Sequence, residues 1–509
     1  MTAVLVAVSL AAMAIADFRW LRVVQREHYI PGSCLAVALR WARKRPPNQV
    51  LAPVLGVAAL LALTPRPAAV AAGACVVAAA GAAVFPAAMP LLDADQRMVV
   101  TARLRRLAAA CVLLQALLAA GALWLGAPAA VGTLAALTPV IIDLGTLIMR
   151  PAEARLVRRF RVKAEATLAR VSPRVIAVTG SYGKTSTKNH IRDLLSGTVN
   201  VVASPASWNN TTGLSRTVNE HVGPDTEILV AEMGTYGLGE IREMCSWVKP
   251  EIGIITAIGP MHLERMKTLD TIAQAKSEIL EGVRVAILNV DDERLAQIAD
   301  SVRGAEVWRC GTQRQPGLDV SLERDDDIVT VRYQGTKVGS VAAQPELYLG
   351  NIACALAAAF AIGAAPGQVI SRLSELSLPP HRAVQAVSTS GLVVIDDTYN
   401  SNPSGAMHAL DLLESAVPGP GRRAVISPGM VELGPDQDEA NRAFAEAVAK
   451  ADAMLVVVGW TNRRALLAGA RNGETVLVRS RAAARDWIRS ALTTGDGVLW
   501  ENDLPDHYP

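Results

Sequence analysis

The residues Gly180-Ser181-Tyr182-Gly183-Lys184-Thr185-Ser186 combine the types that hold a nucleotide phosphate. Glycines at 180 and 183 let the backbone turn and bring its N–H groups onto phosphate oxygens, at the start of a helix whose dipole favours anions. Lys184 would reach the β and γ phosphates of ATP, and Thr185 would offer its hydroxyl to Mg²⁺. The pattern GxxxxGK[ST] asks for glycine at position 178, where this chain has valine, so a chance glycine-rich turn is the plain alternative. The flanks oppose it. Residues 174–179 (RVIAVT) read as a buried strand, and Lys188 onward reads as a helix with Ile191, Leu194 and Leu195 on one face.

The form T-G-x-x-G-K-T-[ST]-T is that of the Mur ligases, and from Val175 to about Gly434 the chain resembles that superfamily, most closely the branch that adds D-alanyl-D-alanine in peptidoglycan synthesis. Several stretches carry the resemblance in the family's order: SPASWNNTTGLSRTV (204–218), AEMGTYGLGEI (231–241), IGPMHLERM (258–266), AKSEI (275–279), ILNVDDE (287–293), IDDTYNSNPSG (395–405) and PGMVELG (428–434). It implies an α/β fold, with a P-loop central ATP-binding domain over 173–378 and a Rossmann-like C-terminal ligase domain over 379–509. It also implies an ATP-dependent enzyme that joins a carboxylate to an amine through an acyl phosphate.

Such a reaction brings anions together, so cations must neutralise the charge that develops between them. Glu232 ends the apolar strand EILVAE, a suitable place for a carboxylate on Mg²⁺; a capping or surface glutamate is the bland alternative. The resemblance makes His262 a ligand of a second Mg²⁺, although Mg²⁺ prefers oxygen and a lone histidine alone would not suggest it. It matches Lys276 to a lysine that carries a carbamate in several Mur ligases, while the helical spacing TIAQAKSEIL equally admits an ordinary solvated lysine. Asn209 and Asn210 resemble a substrate-facing pair near the γ-phosphate, with local turn caps as the alternative. Asn289, with Asp291 and Asp292, resembles a stretch near the nucleotide, or is simply an Asp-rich turn. Arg382 resembles the arginine that the C-terminal domain brings to the γ-phosphate, a task suited to a planar guanidinium. Asp397, Tyr399 and Asn400 follow the buried strand LVVID and resemble residues near adenine and ribose.

Three departures limit the likeness. Where the family usually reads H-N-x-x-N-x-x-A-A, this chain reads G-N-I-A-C-A-L-A-A: Asn351 is kept, with Gly350 and Cys354 in place of the other polar residues. Apolar segments stand where the cytoplasmic enzymes carry a uridine-nucleotide domain, so a lipid-linked acceptor is expected beside small-molecule carboxylates and amines. The last residues read GDGVLWENDLPDHYP rather than a basic tail, which predicts a different incoming amine, cationic in character.

The elements that must place this chemistry begin with a helical region. Residues 1–16, about 50–64, 68–91, 106–126 and 128–149 are apolar and almost free of charge, which predicts about five membrane spans over 1–150. Lys and Arg crowd the connections 17–49 and 92–105, whereas the alternate connections hold only Arg66. The N-terminus is therefore expected outside and everything past Met149 in the bacterial cytoplasm. No basic region precedes residues 1–16, which argues against a cleaved signal peptide. Asp143 is the lone acid deep in a span, so no ion pathway is indicated. Residues 151–172 read as a basic connector helix. With 50 Lys plus Arg against 47 Asp plus Glu, nothing points to nucleic acid. The six cysteines are scattered without CxxC pairs, so neither a disulfide framework nor a zinc site is signalled. Against a membrane-anchored ligase of cell-envelope or peptide-polymer synthesis stand two rival readings, the D-alanyl-D-alanine-adding reaction of peptidoglycan synthesis and a nucleotide-binding scaffold without turnover, and oligomeric state is not legible.

Overall fold

In the computed structural model, which describes residues 2–64, 66–91, 98–312, 317–342, 344, 346–376, 381–399, 401–504, 507 and 508, the chain divides into two units. The first comprises Met1–Leu156 with two short later stretches, Gly459–Thr461 and Leu504–Pro509. The second holds Val157–Val458 and Asn462–Asp503.

The first unit is helical. Its helices span Thr2–Arg26, Ser33–Lys44, Pro46–Leu63, Ala68–Val84, Ala102–Trp124 and Ala130–Ala136, followed by the start of Thr138–Val171. Thr2–Arg26, Pro46–Leu63 and Ala102–Trp124 are long and apolar enough to cross a membrane, and Ala130–Ala136 with Thr138–Val171 forms a fourth candidate bent by 72°. Three expectations change here, the first being the count of about five spans: by length and composition there are three candidates among the described residues, or four with the bent pair, because Ala68–Val84 is a shorter apolar helix of 17 residues. The first apolar helix continues to Arg26 instead of ending near residue 16, because Trp20, Val23 and Val24 bury a further stretch of its face. The segment expected to end at 149 runs on to Val171, so span and connector are one helix with Pro151 inside it. Small residues let these helices approach closely: a side chain at Gly132 would strike the Cys75 carbonyl, and one at Gly145 the Cys111 sulfur. Asp143 has a structural task, accepting hydrogen bonds from the Cys34 and Leu35 N–H groups (3.1 and 2.9 Å) at the open start of Ser33–Lys44.

The second unit holds two sheets. The larger has nine strands in the spatial order Val201–Ala203, Ile228–Glu232, Arg174–Thr179, Ile252–Ile255, Val285–Asn289, Glu306–Gly311, Val320–Asp325, Ile328–Tyr333 and Thr336–Ala342. The first seven pair in parallel and the last two complete an antiparallel meander. Alternation along Arg174–Thr179 sets its two faces. Ile176 and Val178 pack with Ile191, Leu194 and the Leu349–Ala361 helix, whereas Val175 and Ala177 pack with Leu214, Met244 and Trp247. The strand before the glycine turn is thus buried on both sides, as its unbroken apolar run requires.

The smaller sheet has six strands ordered Val384–Val387, Val393–Asp397, Gly497–Glu501, Arg423–Ser427, Ala453–Val458 and Thr475–Val478. Only the Val384–Val387 edge pairs antiparallel. Parallel strands with helices on both faces present their carboxyl ends as a ligand crevice. Thr179, Glu232 and Asp397 all lie at such ends.

Candidate active site

The glycine turn is built as its sequence predicts, between Arg174–Thr179 and a helix that starts at Lys184, four residues before the expected Lys188. Gly180 (φ 153°) and Gly183 (φ 78°) occupy backbone conformations that disfavour side chains. A Cβ on Gly180 would collide with the Thr256 hydroxyl, and one on Gly183 with the Asn351 amide. The turn is fastened from behind. Ser181 N–H donates to the Ala257 carbonyl (2.8 Å), Ser181 Oγ bonds the Gly259 backbone (2.9 and 3.0 Å), and the Thr256 hydroxyl donates to the Tyr182 carbonyl. Lys184 Nζ donates to the Gly180 and Ser181 carbonyls (2.7 and 3.3 Å). Burial lowers its pKa to about 8, a shift that Glu232 opposes and Arg382 reinforces.

Glu232 is almost fully buried (1 % exposed) and pairs with Lys188 Nζ at 3.2 Å. Its other oxygen accepts from Asn209 Nδ2 at 3.1 Å. Lys188 lies one helical turn past Lys184 and was not singled out from the sequence; its position i+4 to Lys184 was the available signal. Lys276 is also buried, and its Nζ makes no hydrogen bond or ion pair among the described residues. Burial, and secondarily the charge of Lys184, push its pKa well below the usual lysine range.

The C-terminal lobe supplies the other wall. Arg382 Nη2 reaches the Thr185 hydroxyl at 3.5 Å, and its guanidinium lies 4.8 Å from the centre of the Tyr399 ring. Tyr399 in turn bonds the Ser207 hydroxyl. His262 Nδ1 meets the Glu432 carboxylate at 2.5 Å, and its ring sits edge-on to Tyr236 with centroids 4.6 Å apart. Burial lowers the His262 pKa; Glu432 opposes the shift, while Lys184 and Lys276 add to it. Ser207, Tyr236 and Glu432 were not predicted as site residues. Their only signal lay inside the motif stretches, because the Glu432–His262 contact joins residues 170 positions apart.

Other expected residues take supporting places. Asn210 caps the Thr211–His221 helix, accepting from Gly213 N–H at 2.9 Å, so of the asparagine pair only Asn209 reaches Glu232. Asn289 donates to the Thr256 carbonyl at 3.2 Å behind the turn. Asp291 bonds Thr312, and Asp292 caps Glu293–Ser301. Asn351 is held against Gly183, while Cys354 lies in the core 3.5 Å from Cys310, and Gly350 leaves room for Asn289 and Tyr348. Ser186 is half-buried in the first turn of the helix. Asp397 accepts from Ala383 N–H at 3.1 Å, and burial raises its pKa to about 6. Asn400 lies outside the described residues. Among the described residues of the acidic tail, Glu501 is buried and bonded to the Ser401 and Ser427 hydroxyls, and Asp503 pairs with Arg481.

The donor set suits ATP with Mg²⁺. Among the described residues no cluster of three or more His, Cys, Asp or Glu side chains could hold a metal unaided. Thr185 and Glu232 offer oxygens of the kind Mg²⁺ prefers, His262 offers a nitrogen that it does not, and Mg²⁺ usually completes its shell with phosphate and water.

Comparison with known proteins matches the part of the chain that carries these residues and extends past Gly434. The Mur ligase middle domain matches residues 178–359, and the Mur ligase, glutamate ligase domain matches residues 382–501. UDP-N-acetylmuramoyl-tripeptide–D-alanyl-D-alanine ligase of Mycobacterium leprae is 32% identical over 366 residues, 64% of this chain and 70% of that protein. The enzyme of the same name from Bacillus subtilis is 33% identical over 275 residues, 53% of this chain and 59% of that one. The crystal structure of MurF ligase from Thermotoga maritima in complex with ADP shares the fold, with a TM-score of 0.58 at 24% identity, over 68% of this chain and 80% of that one.

Proposed function

On the premise that the chain belongs to the Mur ligase family, whose members are ATP-dependent ligases that form amide bonds, we propose that it is a membrane-anchored carboxylate–amine ligase of bacterial cell-envelope or peptide-polymer synthesis, with its catalytic unit in the cytoplasm. The observation that carries this reading is the seam where Lys184, Thr185, Glu232 and Lys276 of the middle region meet Arg382 and the Glu432-held His262.

The chemistry divides among these residues. The substrate carboxylate takes the γ-phosphoryl of ATP to become an acyl phosphate, which the amine then attacks with release of phosphate. The glycine turn and Lys184 hold the β and γ phosphates, and Arg382 sets its guanidinium beside the phosphoryl being transferred. Thr185, Glu232 and His262 would hold Mg²⁺, which supplies charge neutralisation between the phosphates and the incoming carboxylate. Lys188 pairs with Glu232 and holds it in place. Lys276, a buried amine whose pKa is lowered by burial, would add CO₂ with loss of a proton to give a carbamate whose oxygens can serve metal or substrate. Gly180, Ser181, Tyr182, Gly183, Ser186, Asn289, Asn351 and Asp397 frame the nucleotide, and Asn209 faces the acceptor.

Addition of D-alanyl-D-alanine to a nucleotide-linked peptide is the second reading, favoured by the names of the relatives. A lipid-linked acceptor is favoured by the apolar helices that precede the ligase domains. A scaffold that binds nucleotide without turnover is disfavoured, since Asn351 keeps its place against the turn and Gly350 and Cys354 serve packing. The test is ADP release by purified full-length protein offered panels of carboxylates and amines. ADP formed only when both substrates are present, and lost in Lys184→Ala, is the expected result. Nucleotide bound tightly with no turnover on any pair would overturn the proposal.

A further inference from the structure

The Thr138–Val171 helix carries one continuous exposed stripe whose chemistry changes along its length. Val140, Leu144, Leu147 and Ile148 are exposed in its first half. At helical spacing beyond them, Arg155, Arg158, Arg159 and Lys163 are exposed in its second half. Positions 155, 158, 159, 162 and 163 share one face, since residues three, four, seven and eight apart lie together on a helix. The opposite face is used differently: Ala164 and Leu168 are buried in the core of the catalytic unit. The acids of this stretch are turned elsewhere, Glu153 to Arg106 and Glu165 to Arg161. None of the four stripe cations has an ion pair among the described residues. Exposed Val162 sits among them.

We infer that this stripe is a binding surface for the headgroups of anionic phospholipids. The inference rests on the membrane reading above and names its lipid partner. An apolar stripe that turns cationic along one helix fits the passage from acyl chains to a charged headgroup layer. Four unpaired cations on one helix face are a local concentration of charge on a chain whose net charge is only +3. At 1.5 Å per residue, the stretch from Arg155 to Lys163 covers about 12 Å, the scale of one headgroup layer and of the Debye length.

The experiment uses the full chain reconstituted in phosphatidylcholine vesicles, with spin-labelled phosphatidylglycerol or spin-labelled phosphatidylcholine as the probe. The labelled acidic lipid is expected to associate about threefold or more tightly than the zwitterionic one at low salt, and the preference to fade at high salt. Replacing Arg155, Arg158, Arg159 and Lys163 together by Gln should remove most of it, while Arg155→Lys, Arg158→Lys and Arg159→Lys together should keep it. Should the Gln variant fail to fold by circular dichroism, Arg155→Gln with Arg158→Gln, and Arg159→Gln with Lys163→Gln, should each remove part of the preference, and two folded pairs that both keep it in full would overturn the inference. A chain washed from the vesicles by alkaline carbonate would overturn the membrane reading and this inference with it. One that stays embedded yet treats both lipids alike, or a Gln variant that keeps the preference, would overturn the inference alone.

Discussion

At the scale of single residues, the Glu432–His262 pair shows how a side chain from one lobe completes a site in the other. A histidine that binds a metal through one ring nitrogen is oriented by the partner of the other, and loss of such a partner typically costs 10–100-fold in metal affinity or activity. Glu432 occupies that place at Nδ1, so on the proposed reading Nε2 is the nitrogen that would meet Mg²⁺. Glu432→Ala should therefore raise the Mg²⁺ concentration that half-activates ADP release by roughly tenfold, with nucleotide affinity measured in excess Mg²⁺ changed far less. An unaltered Mg²⁺ midpoint would remove Glu432 from this role. The buried carboxyls of the C-terminal lobe make a second prediction. Burial raises Glu501 to about 8 and Asp397 to about 6, from ordinary values of 4.5 and 3.8. The folded state thus holds these protons more firmly than the unfolded chain, so their contribution is most favourable at acid pH and is lost as pH rises through the folded values. Thermal stability should fall from about pH 4 to pH 8, the Asp397 share ending near pH 6, and Glu501→Gln, which keeps partners for Ser401 and Ser427, should flatten the part above pH 6.

At the scale of elements, the strand–turn–helix around Gly180–Thr185 was legible because its signals are local: an apolar strand, two glycines at fixed spacing and an amphipathic helix. Gly183 is the point where local and distant demands meet, needing φ 78° itself and room for Asn351. Gly183→Ala should cost about 1–3 kcal/mol from backbone strain alone, plus the collision with the Asn351 amide. Pairing it with Asn351→Ala should recover the collision but not the strain, a coupling that a double-mutant cycle on thermal unfolding reads directly. What lay beyond the sequence was long-range. Lys188 reaches across to Glu232, and Ser207 to Tyr399, through contacts that no window of neighbouring residues contains. The helix from 138 to 171 escaped for another reason. Pro151 ordinarily ends a helix by removing an N–H and crowding the preceding turn. Here Pro151 and Leu147 lie on the exposed side, where the freed carbonyl is not sealed in a core, and the helix continues. The bend falls earlier, at Leu137, between Ala130–Ala136 and Thr138–Val171.

At the scale of the whole molecule, the membrane reading makes a prediction about sidedness that the chain's own composition makes easy to test. All six cysteines are buried, so a single introduced cysteine is a clean reporter for a membrane-impermeant maleimide. Arg66 lies in the short connection between Pro46–Leu63 and Ala68–Val84, whereas Arg43 lies near the end of Ser33–Lys44; both are exposed. Basic connections are retained on the cytoplasmic side, and the connection around Arg43 is the most basic of the helical unit. Arg66→Cys should therefore be labelled in intact cells, and Arg43→Cys only after the cells are opened. An introduced cysteine at exposed Arg303, in the catalytic unit, should behave as Arg43→Cys does, because a ligase that consumes ATP must face the compartment that holds it. Labelling of Arg303→Cys from outside would separate the ligase domains from their nucleotide and refute the anchored-ligase assignment. Labelling of Arg43→Cys and Arg66→Cys alike would leave the catalytic unit where it is but redraw the spans, with Pro46–Leu63 lying along the surface instead of crossing it.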